Sequence, residues 1–130
     1  MQIVSNVLEI PVNCFRNCKQ LKTETFPKTI RVIDESAFYN CTSMKELGLP
    51  DTVTSIGYTA FYNCVSLKSI AIPKYVTELK DKTFQYCANL TSISLPDSIT
   101  SIGEMAFPRD WLDKADPAQG TKNDWKTSIL

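Results

Sequence analysis

One interval recurs along this chain and restricts what it can fold into. Phenylalanines stand 23 residues apart, cysteines follow the first four of them at a constant distance, and prolines and leucines keep the same step. Self-similarity at such a period is the signature of stacked repeats, each of which buries its apolar side against its neighbours. The four columns are Phe15, Phe38, Phe61, Phe84 and Phe107; Cys18, Cys41, Cys64 and Cys87; Pro27, Pro50, Pro73 and Pro96; and Leu21, Met44, Leu67 and Leu90.

The repeat that ends at Pro73 shows the extended structure that the sequence predicts. Residues 70–72 alternate apolar and small side chains, the pattern of a strand with one buried face. Pro73 ends that strand because proline has no N–H to donate to a ladder. Val53 and Ile56 are expected to point inward from a second extended piece, and Gly57 to permit the turn that follows it.

The middle of the same repeat carries a helical pattern. Ala60, Cys64 and Leu67 lie at i, i+4 and i+7, which predicts a helical segment of about two turns. Repeats of this length that are rich in leucine and isoleucine form leucine-rich-repeat stacks. We therefore predict an α/β, β-rich, right-handed leucine-rich-repeat solenoid of 23-residue coils with short helical turns.

The ends of the chain depart from the repeat. We expect the solenoid to occupy residues 1–107, with residues 1–13 as an N-terminal half coil that shields the first edge. Asp110 stands where the next cysteine would fall, and Trp111 and Trp125 lie in an irregular, polar stretch. Residues 108–130 are therefore expected to form either a cap that closes the last coil or a frayed tail.

Composition excludes several classes of partner. The 14 basic and 14 acidic side chains cancel, so the basic surface of a nucleic-acid-binding protein is missing. No apolar run approaches the ~18 residues that insertion into a bilayer needs. The first ten residues lack the basic start and long apolar stretch of a signal peptide. We expect either an intracellular protein or a piece of a longer exported chain.

Catalytic and metal-binding constellations are also missing. The chain has no histidine, so it offers no Ser/His or Cys/His pair and no ordinary base near neutral pH. The five cysteines lack zinc-ligand spacing, and four of them fall in an inward column, where cysteine behaves as a small apolar residue. We predict that the protein is not an enzyme, binds no cofactor or metal, and keeps its thiols free and buried.

The repeat unit reads I-x-x-I-G-x-x-A-F-x-x-C-x-x-L-x-x-I-x-L-P. Residues 53–73 and 99–107 come close to this unit, and the match runs from about Val7 to Phe107. In this respect the chain resembles the BspA-type leucine-rich repeat of bacterial and protozoan surface proteins. The resemblance implies a protein similar to adhesins that bind host extracellular-matrix proteins or other cells, usually as one portion of a long secreted chain.

Two surfaces are candidates for binding a partner. Alternation along the strands turns small or polar residues outward, which would let a partner approach the backbone; the face could equally be bare. On the side with the helical turns, two tyrosines share one column and suit an interface, although packing between coils would also explain them. The candidate residues are Glu46, Ser69, Ala71, Ser92 and Ser94 on the strand side, and Tyr39 and Tyr62 on the other side.

These observations predict a protein-binding module of unknown partner and oligomeric state. We expect it to be the repeat portion of a cell-surface or adhesion protein, located at the cell surface or secreted as part of a longer chain. The alternative is a cytoplasmic scaffold subunit that binds its neighbours in a larger assembly. The missing signal peptide and the unpaired thiols favour that alternative.

Overall fold

The computed structural model describes residues 7–108, in which short β-strands alternate with tight turns. The predictions for the rest of the N-terminal half coil and for the tail, including Trp111 and Trp125, lie outside the described residues. The strands of the described part are β1 (Glu9–Ile10), β2 (Thr23–Thr25), β3 (Val32–Ile33), β4 (Glu46–Gly48), β5 (Ser55–Ile56), β6 (Ser69–Ala71), β7 (Glu78–Leu79), β8 (Ser92–Ser94) and β9 (Ser101–Ile102).

The strands form two rows, and every pairing is parallel. In the first row β1 pairs with β3 and β3 with β5, while β7 pairs with β9. In the second row β2 pairs with β4, and β6 with β8. Each residue faces the one 23 positions later, as Ile10 faces Ile33 and Ile70 faces Ile93. The leucine-rich-repeat fold that the sequence predicts is therefore confirmed, with parallel strands.

The phenylalanine column forms the centre of the core. Phe38, Phe61 and Phe84 are fully buried. Their rings stack with centroids 5.4 Å apart at each step and with interplanar angles of 9° and 6°. Phe15 continues the stack at 5.1 Å from Phe38. Because stacked rings at this separation contribute beyond their burial, the column joins successive repeats as well as filling each one.

The predicted short helical turns are wrong: between residues 7 and 108 the structure contains no helix. In residues 57–67 the N–H groups of Ala60, Tyr62 and Cys64 do donate to carbonyls three residues earlier, at 3.1–3.4 Å. However, Thr59 and Asn63 in the same segment have φ of 54° and 58°, in the left-handed region that a right-handed helix excludes. The segment is a chain of separate tight turns.

The reason lies in where the other N–H groups donate. Thr59, Phe61 and Asn63 donate to the carbonyls of Asp81, Thr83 and Gln85 in the next repeat, at 3.2, 3.0 and 2.8 Å. Alternate N–H groups therefore bond within the turns and across to the neighbour. We call this side of the molecule the turn face, and it comprises residues 11–21, 34–44, 57–67, 80–90 and 103–108.

Gly57 serves a different purpose from the one that we predicted. No glycine among the described residues has a positive φ, so conformational freedom is not what position 57 needs. A Cβ on Gly57 would stand 2.6 Å from the nitrogen of Glu35 and 2.7 Å from the carbonyl carbon of Asp34. Gly103 approaches Asp81 in the same way, at 2.5 Å. Glycine is required here because the backbone of the preceding repeat lies too close for a side chain.

One junction between repeats differs from the others. The N–H groups of Asp34, Gly57 and Gly103 donate to the carbonyls of Ile10, Ile33 and Leu79, at 2.9, 2.7 and 2.6 Å. Lys80 occupies the same column but makes no such bond to Ile56. Among the described strands, β5 does not pair with β7, nor β4 with β6. We call this gap between residues 46–57 and 69–80 the open junction.

Side chains connect the repeats across the open junction. Lys74 Nζ lies 3.8 Å from Asp51 Oδ2, and Lys80 Nζ lies 5.5 Å from the ring centroid of Tyr58. The Lys74–Asp51 ion pair is exposed and so contributes only about 0.2–1 kcal/mol. The turn face remains continuous at this point, so the core and the turns hold the two repeats together.

Candidate protein-binding surfaces

The five strand-side candidates lie on the outer side of β4, β6 and β8. Ser69 faces Ser92, and Ala71 faces Ser94, in the register of β6 and β8. Buried Ile70 and Ile93 alternate with them because successive side chains of a strand point to opposite faces. Ser69, Ala71 and Ser94 are exposed, and Ser92 is half-buried. These four residues form one small, uncharged patch of hydroxyl and methyl groups.

Glu46 lies exposed in β4, which neighbours β6 across the open junction but does not pair with it. Its register partner is Thr23 in β2. The structure therefore divides the strand-side candidates into a single carboxylate on one side of the junction and a neutral patch on the other. Alternation within a strand predicts which side chains point outward, but it cannot predict where the ladder is interrupted.

The two candidate tyrosines stack on the turn face. The ring centroids of Tyr39 and Tyr62 are 4.6 Å apart, with 7° between the planes. Arg16 lies in the repeat before Tyr39, and its guanidinium carbon is 3.9 Å from the centroid of the Tyr39 ring. Tyr86, on a fourth repeat, meets Tyr62 edge-on at 5.3 Å and 83°. We call these four side chains the aromatic row.

Stacking in the aromatic row turns one ring face of Tyr39 and one of Tyr62 towards each other. Partial burial, followed by the neighbouring phenols of Tyr39 and Tyr86 and a hydrogen bond with Tyr39, raises the pKa of Tyr62. The Tyr62 hydroxyl group therefore stays protonated at neutral pH and can both donate and accept hydrogen bonds. Arg16 and Tyr86 were not among the residues predicted from the sequence. Arg16 stands 23 residues before Tyr39, and this spacing could have revealed it.

A chain of side-chain amides runs beside the aromatic row. Asn40 Nδ2 donates to Asn17 Oδ1 at 2.9 Å, and Asn63 Nδ2 donates to Asn40 Oδ1 at 2.7 Å. All three have φ between 58° and 64°, a conformation that asparagine tolerates better than most residues. This amide chain was not among the predicted surfaces either, although its members stand 23 residues apart. It fixes the turns of three repeats and leaves an amide-lined strip on the surface.

The cysteine column lies inside the repeats. Cys41, Cys64 and Cys87 are fully buried, and their thiols donate to the carbonyls of Phe15, Phe38 and Phe61 at 3.1, 3.2 and 3.0 Å. Burial raises the pKa of Cys41 to about 12. A hydrogen bond with the Cys87 thiol, together with burial, raises the pKa of Cys64.

These contacts confirm the prediction of buried structural thiols for three of the five cysteines. Cys18 is half-buried and Cys14 is exposed, because both stand in the first repeat. Within residues 7–108 no group of three or more histidine, cysteine, aspartate or glutamate residues is placed to hold a metal ion. In the same part of the chain no helix is long and apolar enough to cross a membrane.

Comparison with known proteins places these features in a wider context. A family model described as a BspA type leucine rich repeat region matches residues 8–121 in six copies. No curated protein matches the chain. Among solved structures, a leucine rich repeat protein of T. pallidum is 30% identical with a TM-score of 0.81, and the match covers 93% of this chain and 55% of that one.

Two further structures are similar over a smaller share of their length. A leucine-rich repeat protein from Bacteroides ovatus is 27% identical with a TM-score of 0.65, over 82% of this chain and 34% of that one. A leucine rich cell surface protein from Faecalibacterium prausnitzii is 26% identical with a TM-score of 0.57, over 82% and 38%. The chain thus spans about half or less of the length of the solved structures that it matches.

Proposed function

Because this chain belongs to the BspA-type leucine-rich-repeat family, we propose that it is a protein-binding module from a cell-surface or adhesion protein. The similarity to a leucine rich cell surface protein supports a location at the surface or outside the cell. The short coverage of the matched structures supports a role as one portion of a longer repeat protein.

We further propose the finer architecture that such a module needs. It is a right-handed solenoid of 23-residue coils over residues 1–107, with residues 1–13 as a half coil and residues 108–130 as a tail or cap. The 23-residue register of the strand pairs supports this arrangement. In a solenoid each outward column repeats at the strand spacing of about 4.8 Å, so a partner meets regularly spaced side chains.

The aromatic row is the observation that carries the protein-binding proposal. Tyrosine and arginine are among the residues most enriched at the energetic centres of protein interfaces, since each combines a large contact area with a hydrogen-bonding group. Here Arg16, Tyr39 and Tyr62 fix one another by stacking at 3.9 and 4.6 Å. A partner that binds them therefore loses little additional side-chain freedom, which favours affinity.

The neutral patch on the strand side is a second surface for the same function. Its hydroxyl and methyl groups let a partner come close to the backbone of β6 and β8. Such a patch gives shape complementarity but few anchors. We propose that Ser69, Ala71, Ser92 and Ser94 extend the interface, with Glu46 at its edge.

One observation favours the alternative of a scaffold subunit inside the cell. All five cysteines are free, and unpaired thiols persist most readily in a reducing compartment. In that role the same surfaces would bind neighbouring subunits of an assembly.

A binding assay with purified extracellular-matrix proteins tests the proposed function. The full chain and two double variants, Tyr39→Ala with Tyr62→Ala and Ser69→Arg with Ser94→Arg, are passed over an immobilised panel of such proteins. Lys74→Ala, an exposed change away from both surfaces, is the matched control. We expect the wild type and the control to bind at least one matrix protein, and the tyrosine variant to lose most of that binding.

Two results contradict the proposal in different ways. If no matrix protein binds and the chain is recovered from cytoplasm in a stable complex, the scaffold alternative holds. If both double variants bind fully and removal of residues 108–130 abolishes binding, recognition lies in the tail.

A further inference from the structure

Two columns of the turn face take a left-handed backbone in every described repeat. The residues are Asn13, Ser36, Thr59, Lys82 and Met105 in one column, and Asn17, Asn40, Asn63 and Tyr86 in the other, with φ between 54° and 66°. The early repeats place small polar residues there. The later repeats instead place Lys82, Tyr86 and Met105, whose larger side chains gain nothing locally from this backbone.

Tyr86 stands at the position where the amide chain ends. An asparagine there would accept the same φ of 66° and could extend the bonds of Asn17, Asn40 and Asn63. Instead the ring is 55% exposed. Strained backbone and an exposed aromatic ring together are characteristic of residues that are retained for binding rather than for stability.

Met105 lies on the same part of the turn face. Its φ is 56° and its side chain is 56% exposed. The Nε2 atom of Gln85 lies 3.2 Å from the Met105 sulfur, and Gln85 directly precedes Tyr86. Tyr62 borders the other side of Tyr86 through the edge-on contact at 5.3 Å. Tyr86 and Met105 are therefore two exposed apolar side chains on successive repeats, and Tyr62 borders the first of them.

The opposite end of the aromatic row is cationic. The guanidinium of Arg16 rests on the ring of Tyr39 and reaches the side-chain oxygen of Asn13 at 3.5 Å, and both of these partners are uncharged. Within the described part of the chain, no carboxylate forms an ion pair with Arg16. Residues 16–20, 39–43, 62–66 and 85–89 contain no aspartate or glutamate. A guanidinium held in this way suits a carboxylate from another molecule.

We propose that the turn face docks an extended segment of a partner protein, with an apolar side chain on Tyr86 and Met105 and a carboxylate on Arg16. The two ends are three repeats apart, about 15 Å at the strand spacing, which an extended segment of about five residues spans. The hydroxyl and amide groups between them bond to its backbone. This inference rests on the proposed protein-binding function and specifies the chemistry of its partner.

Stability provides the first test, and it needs no partner. Tyr86→Asn restores the residue that the column carries in the earlier repeats, so we expect the urea midpoint of the full chain to stay the same or rise. Tyr75→Asn, at an equally exposed tyrosine outside the two columns, is the matched control. A midpoint that falls for Tyr86→Asn and not for Tyr75→Asn would show that the Tyr86 ring is retained for packing, which would overturn the inference.

Binding provides the second test, with a phage-displayed library of random peptides as the probe. We expect the wild-type chain to enrich peptides that carry an apolar and an acidic residue about four or five positions apart. The affinity of the chain for these peptides should fall at least tenfold in the Tyr86→Asn and Arg16→Ala variants. It should not change in the Tyr75→Asn variant.

The outcomes separate this inference from the proposed function. Enriched peptides that keep their affinity for Tyr86→Asn or Arg16→Ala, or that are basic, overturn the inference, and so does a library without enrichment. Failure of the matrix-protein assay, by contrast, bears on the proposed function alone, because the peptide library does not depend on which protein is the natural partner.

Discussion

Gly57 and Glu35 lie so close that a Cβ on Gly57 would stand 2.6 Å from the Glu35 nitrogen. We therefore expect Gly57→Ala to push the two repeats apart and to lower the free energy of unfolding by about 1–3 kcal/mol. Gly48→Ala is the matched control, because a Cβ there meets nothing within 4 Å. Urea unfolding of both variants is the measurement. Equal stability of the two variants would contradict the close approach.

The stacked phenylalanines should dominate stability. Phe61 is fully buried between Phe38 and Phe84, so we expect Phe61→Ala to lower the free energy of unfolding by about 3–5 kcal/mol. Lys68→Ala, at an exposed position of the same repeat, should change it by less than about 0.5 kcal/mol. Comparable shifts in urea melts of the two variants would show that the repeat is oriented differently.

The open junction should appear in amide hydrogen exchange. The N–H groups of Thr100 and Gly103 donate to Thr77 and Leu79 at 2.8 and 2.6 Å, but Thr77 and Lys80 make no equivalent bonds to the preceding repeat. We expect Thr77 and Lys80 to exchange roughly tenfold faster or more than Thr100 and Gly103, because a missing bond lowers the local opening energy. Equal protection of the four amides, measured by NMR, would show that the junction is closed.

The buried thiols should make stability depend on alkaline pH. The folded chain keeps the Cys41 proton up to about pH 12, whereas a thiol at its ordinary pKa of 9.0 loses it sooner in the unfolded chain. The stability contributed by the neutral thiol is therefore complete below pH 9 and is lost as the pH rises towards 12.

The measurement is a series of urea melts of wild type and Cys41→Ala between pH 7 and pH 11. The stability difference between them should shrink by about 1.4 kcal/mol per pH unit above pH 9. Val53→Ala truncates a buried side chain that has no titrating group, so its loss of stability relative to wild type should not depend on pH. If the stability difference between wild type and Cys41→Ala stayed constant from pH 7 to pH 11, the Cys41 thiol would titrate normally in the folded chain.

Much of the fold could be predicted from the sequence, because apolar residues that recur at one position of every repeat are expected to be buried. Phe61, Cys64, Leu67 and Ile70 are all buried, as their spacing indicates. The helical turns could not be excluded in this way. Spacing at i, i+4 and i+7 places residues on one side of a helix, but a chain of tight turns with left-handed Thr59 and Asn63 buries the same residues.

The surface could be predicted only in part. Outward positions on the strands followed from alternation, whereas the open junction depends on backbone distances between repeats that no local pattern contains. Tyr39 and Tyr62 stood out because they are the same residue in one column. Arg16 lies in the same column, so its spacing could have revealed it. Tyr86 joins the aromatic row from a neighbouring column, and only its contact with Tyr62 reveals the relationship.

Hydroxyl-radical footprinting of the full chain, alone and with the matrix protein that it binds best, tests most directly whether the turn face binds protein. Aromatic and sulfur side chains react readily with the radical, so exposed Tyr86 and Met105 report on the turn face and exposed Tyr75 on the surface outside it. We expect oxidation of Tyr86 and Met105 to fall severalfold in the complex. Tyr75, 60% exposed and outside the turn face, should react as before. Unchanged oxidation of Tyr86 and Met105 in a complex that has demonstrably formed would contradict the account.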